Sequence, residues 1–237
     1  SISLDHEAWL GNSREAIAFE KAGIMRSSVP CIVSDWAPPA TLLTHAFNLN
    51  VPLDLIGEAF EAYRGVELGL PVDSFAAAKQ AVLRLGIQLD SDELYRQARS
   101  TLLPGRRTWV NSKCRVLLDI AHNPAAAESL AQYVLSLGEK NKIHAVVGMY
   151  ADKNIELVIR PFLDRINTWH CVDMDEPRAE LAENIALRAG IRNHAEATTY
   201  VNIELALDVL LAKVDEADLV LVFGSFPIVA GALRALK

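Results

Sequence analysis

Four apolar runs in this chain end in side chains that can bind or move charge. In LLDIAHNP (117–124), three apolar residues lead into Asp119, His122 and Asn123. A second run ends at Gly148-Met149 and continues to Asp152 and Lys153; a third ends in Asp173 and Asp175 with Arg178 just after; the last ends in Gly224-Ser225. Any one of these is also a plausible turn or helix-cap residue. Read as strand ends in an open parallel sheet they share one edge, and ligands bind outside the carboxyl ends of such strands. The Gly-Ser pair stands before a helix N-terminus, which favours an anion. No GxGxxG follows any strand, so a dinucleotide fingerprint is absent, and no GxxxxGK[ST] occurs anywhere in the chain.

The elements that must position these residues alternate. CRVLLDIA (114–121), KIHAVVGMY (142–150), TWHCVDM (168–174) and DLVLVFGS (218–225) read as buried strands. Between them, 123–138, 154–166, 178–190 and part of 197–214 read as helices, with 226–237 as a closing helix. Asn123 is either a ligand-facing residue or the cap of a helix whose first position is Pro124. Apolar strands alternating with amphipathic helices give an α/β fold, a mostly parallel sheet covered on both faces. The Rossmann-like domain is expected over 104–237. Residues 1–103 read as mainly helical: a short strand at SISL, helices over 12–24, 39–50, 73–86 and 90–102, a strand over 30–35, and an irregular stretch over 51–73. Asn12 or Ser13 caps the first of these helices, and Asp73 or Ser74 the third. Pro104-Gly105 separates the two parts. A chain opening on SISLDH is expected to start inside a domain.

The bulk properties narrow the class. The 237 residues are 51% hydrophobic and carry a formal net charge of −7, with an isoelectric point near 5.4. An acidic chain lacks the basic footprint of a nucleic-acid or anionic-membrane binder. Three cysteines without a CxxC pair are neither a disulfide framework nor a zinc site, and fit a reducing, cytoplasmic setting. No run approaches 18 uninterrupted apolar residues.

LPGRRTWV followed by VLLDIAHNPAAAESL resembles the folylpolyglutamate synthase/dihydrofolate synthase branch of the Mur ligase superfamily. SISLDHEAWLGNSREAIAFEKAGIMR, GMYADKN, DEPR and VFGSF resemble further family segments in the same order, with Asn154 in place of an aspartate. The resemblance implies an ATP-dependent ligase that joins L-glutamate to dihydropteroate or to the terminal glutamate of a folate, through an acyl phosphate. It implies a monomer with Mg2+ and three small-molecule substrates. Carried over by position, His6 matches a magnesium-ligand histidine, although magnesium prefers oxygen. Lys21 matches a lysine that is carbamylated in many members, Arg106 an arginine on ATP phosphates, Asp119 an acid on the nucleotide, and Ser74 the place of an adenine-contacting asparagine. His122 is a further catalytic candidate at the same turn, with nucleotide or glutamate as its partner.

On this reading residues 1–103 are the remainder of a central ATP-binding domain whose phosphate-binding loop lies upstream of Ser1, and 104–237 are the glutamate-ligase domain. Two rival readings are a ligase of peptidoglycan precursors and a non-catalytic homologue without a phosphate loop.

Overall fold

The computed structural model describes residues 2–4, 10–62, 68, 70–88, 90–101, 103–138 and 141–237. His6 lies outside the described residues, and the strand expected at SISL does not form: residues 2–4 are described and belong to no strand, the Ile2 N–H going instead to the Asp35 carboxylate at 2.7 Å. The chain forms two compact units, Ser1–Leu102 and Leu103–Lys237. No helix among the described residues is long and apolar enough to cross a membrane.

In the first unit, Ser13 rather than Asn12 caps α1 (Arg14–Ala22), its Oγ accepting from the Ala16 N–H at 3.2 Å. Strand β1 (Cys31–Val33), α2 (Ala40–Asn48) and β2 (Leu53–Leu55) follow. Strand β2 corrects the irregular reading of 51–73, because it pairs in parallel with β1, Cys31 opposite Leu53 and Val33 opposite Leu55. Its Leu-Asp-Leu pattern hides it: Asp54, the one buried residue of the strand, is polar. Its carboxylate accepts from Gln80 at 2.7 Å and from Arg84 Nε at 2.6 Å, both on α3 (Val72–Arg84). A buried carboxylate is tolerated when its lone pairs are filled in this way.

Helix α3 also corrects the expected cap. Pro71, φ −56° and ψ 132°, occupies the N-cap, and its carbonyl accepts from the Phe75 N–H at 3.1 Å. Ser74 therefore sits inside the first turn, exposed, and caps nothing. Helix α4 (Ser91–Ser100) closes the unit, with Asp90 as its cap.

The second unit is a six-stranded sheet. Its strands are β3 (Thr108–Asn111), β4 (Arg115–Asp119), β5 (Ile143–Val147), β6 (Thr168–Val172), β7 (Glu196–Tyr200) and β8 (Leu219–Phe223), in the order β3-β4-β8-β5-β6-β7. Every neighbouring pair is parallel except β3–β4. The edge strands β3 and β7 were not among the expected strands. β3 alternates half-buried with exposed residues and β7 is buried only at Tyr200, so neither shows the apolar run of β8, whose five residues are all buried.

The connecting helices are α5 (Pro124–Ser136), α6 (Ile155–Ile159), α7 (Ala182–Arg188), α8 (Ile203–Lys213) and α9 (Phe226–Ala235). Helix α6 is shorter than the expected 154–166, because Pro161 lacks an N–H and the chain tightens into a 3₁₀ turn over Arg160–Phe162. Helix α7 starts four residues late: Ala179 bridges Tyr150, and Glu180 donates its N–H to the Met149 carbonyl at 2.9 Å. One core packs Leu117, Leu130, Val158, Trp169, Ile185 and Leu221, drawn from α5, α6, α7 and one face of the sheet. The other packs Val116, Val220, Leu207, Leu210, Ile228 and Val229, drawn from α8, α9 and the opposite face.

Candidate active site

The two cores fix where a ligand fits. The chain leaves β4 and β5 toward the face carrying α5, α6 and α7, and leaves β8, which lies between them, toward the α9 face. Loops that part to opposite faces open a crevice at the carboxyl ends of neighbouring strands, the switch point where doubly wound sheets bind ligands. Asp119 and Val147 both lie opposite Phe223 in the ladder, so the turns after all three strands meet there. Gly224 makes that closeness possible. It has φ +117°, and a Cβ there would stand 2.7 Å from the Gly148 carbonyl oxygen.

Asp119 ends β4 with 4% of its surface exposed. Its Oδ2 accepts from the Arg107 N–H at 3.0 Å and its Oδ1 from the Ala121 N–H at 2.8 Å. Arg106 Nη1 lies 3.7 Å from Oδ1. Burial pushes the Asp119 carboxyl above its ordinary range, outweighing the Arg107 N–H, the Arg106 charge, the Ala121 N–H and the Arg107 charge that pull it down. Arg106 keeps about a third of its side chain exposed, its guanidinium beside a fixed carboxylate at the strand end.

His122 Nδ1 lies 2.8 Å from the Ile120 carbonyl, which assigns the ring proton to Nδ1 and makes Nε2 the acceptor nitrogen. Its ring sits 6.4 Å from that of Phe226, the exposed first residue of α9. Asn123 is the helix cap: its Oδ1 accepts from the Ala126 N–H at 2.9 Å, with Pro124 opening α5. At the third strand, Asp173 is occupied in the same way, accepting from the Ala182 N–H at 2.6 Å at the start of α7. Ser225, 2% exposed, places its Oγ 3.0 Å from Met174 Sδ. At the β5 end, Asp152 pairs with Lys153 at 3.3 Å and Arg178 at 3.8 Å, and Arg178 lies over the Tyr150 ring.

The fold thus brings Asp119, Arg106 and His122 together. Lys21 and Ser74 belong to the first unit, Lys21 exposed in the last turn of α1 and Ser74 on α3. Among the described residues no three His, Cys, Asp or Glu side chains cluster as metal ligands do. The sequence reading missed the neighbours Ser129 and Tyr133, whose spacing of four on α5 is the only local trace of their shared face.

Residues 105–226 match the family described as Mur ligase, glutamate ligase domain. The chain belongs to the Mur ligase family. Within it, the dihydrofolate synthase/folylpolyglutamate synthase of Escherichia coli (strain K12) is 31% identical over 252 residues, covering 100% of this chain and 58% of that protein. The protein of the same name from Haemophilus influenzae is 28% identical over 267 residues, covering 97% of this chain and 61% of its own length. Among solved structures, E. coli FolC in complex with DHPP and ADP superposes with a TM-score of 0.90 at 30% identity, over 98% of this chain and 59% of that one. The Yersinia pestis bifunctional folylpolyglutamate synthase/dihydrofolate synthase complexed with AMPPNP and Mn gives 0.89 at 29%, over 99% and 60%. The resemblance to the folate branch is borne out, and the peptidoglycan-precursor reading is not favoured. The chain spans about three fifths of the length of these relatives.

Proposed function

We propose that the protein containing this chain is an ATP-dependent ligase that adds L-glutamate to dihydropteroate, to the terminal glutamate of folates, or to both. Residues 1–103 are read as the remainder of its ATP-binding domain and 104–237 as its glutamate-ligase domain. The carrying observation is the pairing of Asp119 and Arg106 at the switch point of a sheet that matches the family's glutamate ligase domain.

The reaction balances in two steps. An acceptor carboxylate oxygen attacks the γ-phosphorus of ATP, ADP leaves, and an acyl phosphate forms. The glutamate amine then attacks the acyl carbon, loses a proton, and expels inorganic phosphate as the amide forms. Little covalent help is needed, so catalysis rests on positioning and on neutralising phosphate charge. Arg106 supplies a cation toward the phosphates. Asp119, held by two backbone N–H groups, accepts from the nucleotide. His122, with Nε2 as acceptor, is placed to orient the incoming amine or take its proton. Ser74 stands in for the adenine contact, as a short side chain in the first turn of α3. Magnesium arrives with ATP as part of that substrate, with His6 as its proposed ligand from this chain.

Lys21 is proposed to be carbamylated, which would turn an ammonium into a carboxylate. Lys21→Ala should be nearly inactive and partly rescued by short-chain carboxylates; full activity of the variant would refute the assignment. The protein is proposed to be cytoplasmic and monomeric. The test is an assay of the complete protein with ATP, labelled L-glutamate and either dihydropteroate or a reduced folate. ATP-dependent incorporation into an acceptor is expected, and incorporation into neither overturns the reading.

A further inference from the structure

Arg106 and Arg107 are adjacent but differently placed. Arg107 has φ 44°, in the left-handed region that long side chains rarely occupy. Its side chain does not accompany Arg106 toward the strand ends. The guanidinium lies 4.4 Å above the Tyr133 ring, and Nη2 donates to Ser129 Oγ at 3.1 Å. Both partners are on α5, four residues apart on one face. The Tyr133 ring is itself held, because Trp109 Nε1 on β3 donates to its hydroxyl at 3.1 Å. Anchored in this way, the Arg107 backbone turns its N–H onto Asp119 Oδ2.

We propose that Arg107 is a positioning residue for the ligase reaction: its guanidinium, clamped on Tyr133 and Ser129, holds the left-handed backbone that fixes the Asp119 carboxylate and aims Arg106 at the ligand. This rests on the reading of Asp119 as a nucleotide contact. The two arginines divide the work. A guanidinium engaged by an aromatic face and a hydroxyl is poorly placed to bind phosphate, whereas one beside a fixed carboxylate and partly exposed is well placed. The charged groups bearing on Asp119 are Arg106 and Arg107. Losing the Arg107 N–H bond and charge disfavours the carboxylate, so the Asp119 titration moves to higher pH.

The experiment compares Arg107→Ala, Arg107→Gly, Tyr133→Leu and Asp119→Asn in the complete protein, reading kcat, KM for ATP and the acid limb of kcat/KM against pH. Arg107→Ala should raise KM for ATP about tenfold, leave kcat within about threefold, and shift the acid limb upward. Arg107→Gly, which adopts positive φ without strain, should recover part of both effects. Tyr133→Leu should change both in the same direction as Arg107→Ala, and the double variant should be no worse than Arg107→Ala alone. The glycine and leucine variants keep the test open should the alanine variant fold poorly. A large loss of kcat with an unmoved acid limb would make Arg107 a phosphate ligand and overturn the proposal. So would normal kinetics in both Arg107→Ala and Tyr133→Leu while Asp119→Asn raises KM. If Asp119→Asn leaves KM for ATP unchanged, the site reading itself fails and this proposal with it.

Discussion

Two buried aspartates of the same sheet are pushed in opposite directions. Asp119 closes β4 with 4% of its surface exposed, and Asp218 precedes β8 with 7%. Burial raises both carboxyls. At Asp218 the Asp215 N–H, His144 and the Lys142 N–H outweigh it, so that group titrates below its ordinary value; at Asp119 burial wins. The difference is in the partners. Asp218 anchors a closed chain: His144 Nε2 lies 3.3 Å from it, Thr168 Oγ1 bridges His144 Nδ1 at 2.7 Å and His170 Nε2 at 3.0 Å, and the Tyr200 hydroxyl meets His170 Nδ1 at 3.0 Å. One direction of donation, Tyr200 to His170 to Thr168 to His144 to Asp218, fills every bond of the chain. Asp119 has two backbone N–H groups, and its arginine neighbour reaches only to 3.7 Å. A polar cluster that fills its own bonds holds a fold together, whereas one held by backbone and turned to the strand ends is available to a ligand.

The largest expected effect breaks the closed cluster with acid. Burial, with His144 and Lys213 adding to it, pushes His170 down to about 4. The unfolded chain takes up that proton near 6.5 and the native state only near 4, so stability is full above about 6.5 and falls as pH drops through this window. The loss from this group is roughly 3 kcal/mol. Urea unfolding between pH 7 and 4 should show it, and His170→Gln should flatten the slope; an unchanged slope would mean that His170 is not held neutral. Below that window Asp218 loses stability in the same direction. Asp119 has the opposite sign, since the native state binds its proton first.

At the open cluster, Arg106→Ala should cost about tenfold to a hundredfold in turnover, the loss of one charge-assisted hydrogen bond of roughly 1.5–3 kcal/mol, with an unchanged melting temperature. Unchanged ATP kinetics would remove Arg106 from the site. The smallest effect belongs to Asn123, whose amide is used by the helix. Asn123→Ala should lower stability by about 1 kcal/mol through the missing cap, seen as a lower melting temperature with nucleotide affinity nearly unaltered. A strong loss of affinity without loss of stability would move Asn123 from cap to ligand.

Asp119, His122 and Asn123 were legible in the sequence because they fall within five consecutive residues at the end of a strand buried from its second residue on, where composition and order alone mark an edge. The closed cluster was not. Its members are separated by as many as 74 positions, and only the register of β8, β5, β6 and β7 joins them. The role of Arg107 was hidden for a different reason, since nothing in Gly-Arg-Arg announces a positive φ and its anchor comes from a helix beyond the next two strands. Strands β2, β3 and β7 were obscured by polar or half-exposed residues at the positions a strand pattern needs. Ser74 was misread as a possible cap because a serine after an aspartate looks like a helix start, whereas Pro71, with its fixed φ, begins the helix earlier.

An acyl-phosphate route is tested most directly by where the oxygen of the acceptor goes. With the complete protein, ATP, L-glutamate and dihydropteroate labelled with ¹⁸O in its carboxylate, an acyl-phosphate route transfers one labelled oxygen to inorganic phosphate for each amide formed, with ADP as the other product. Arg106→Ala should slow that transfer and amide formation in equal proportion. Amide formation that releases unlabelled phosphate, or AMP and pyrophosphate in place of ADP and phosphate, would contradict it.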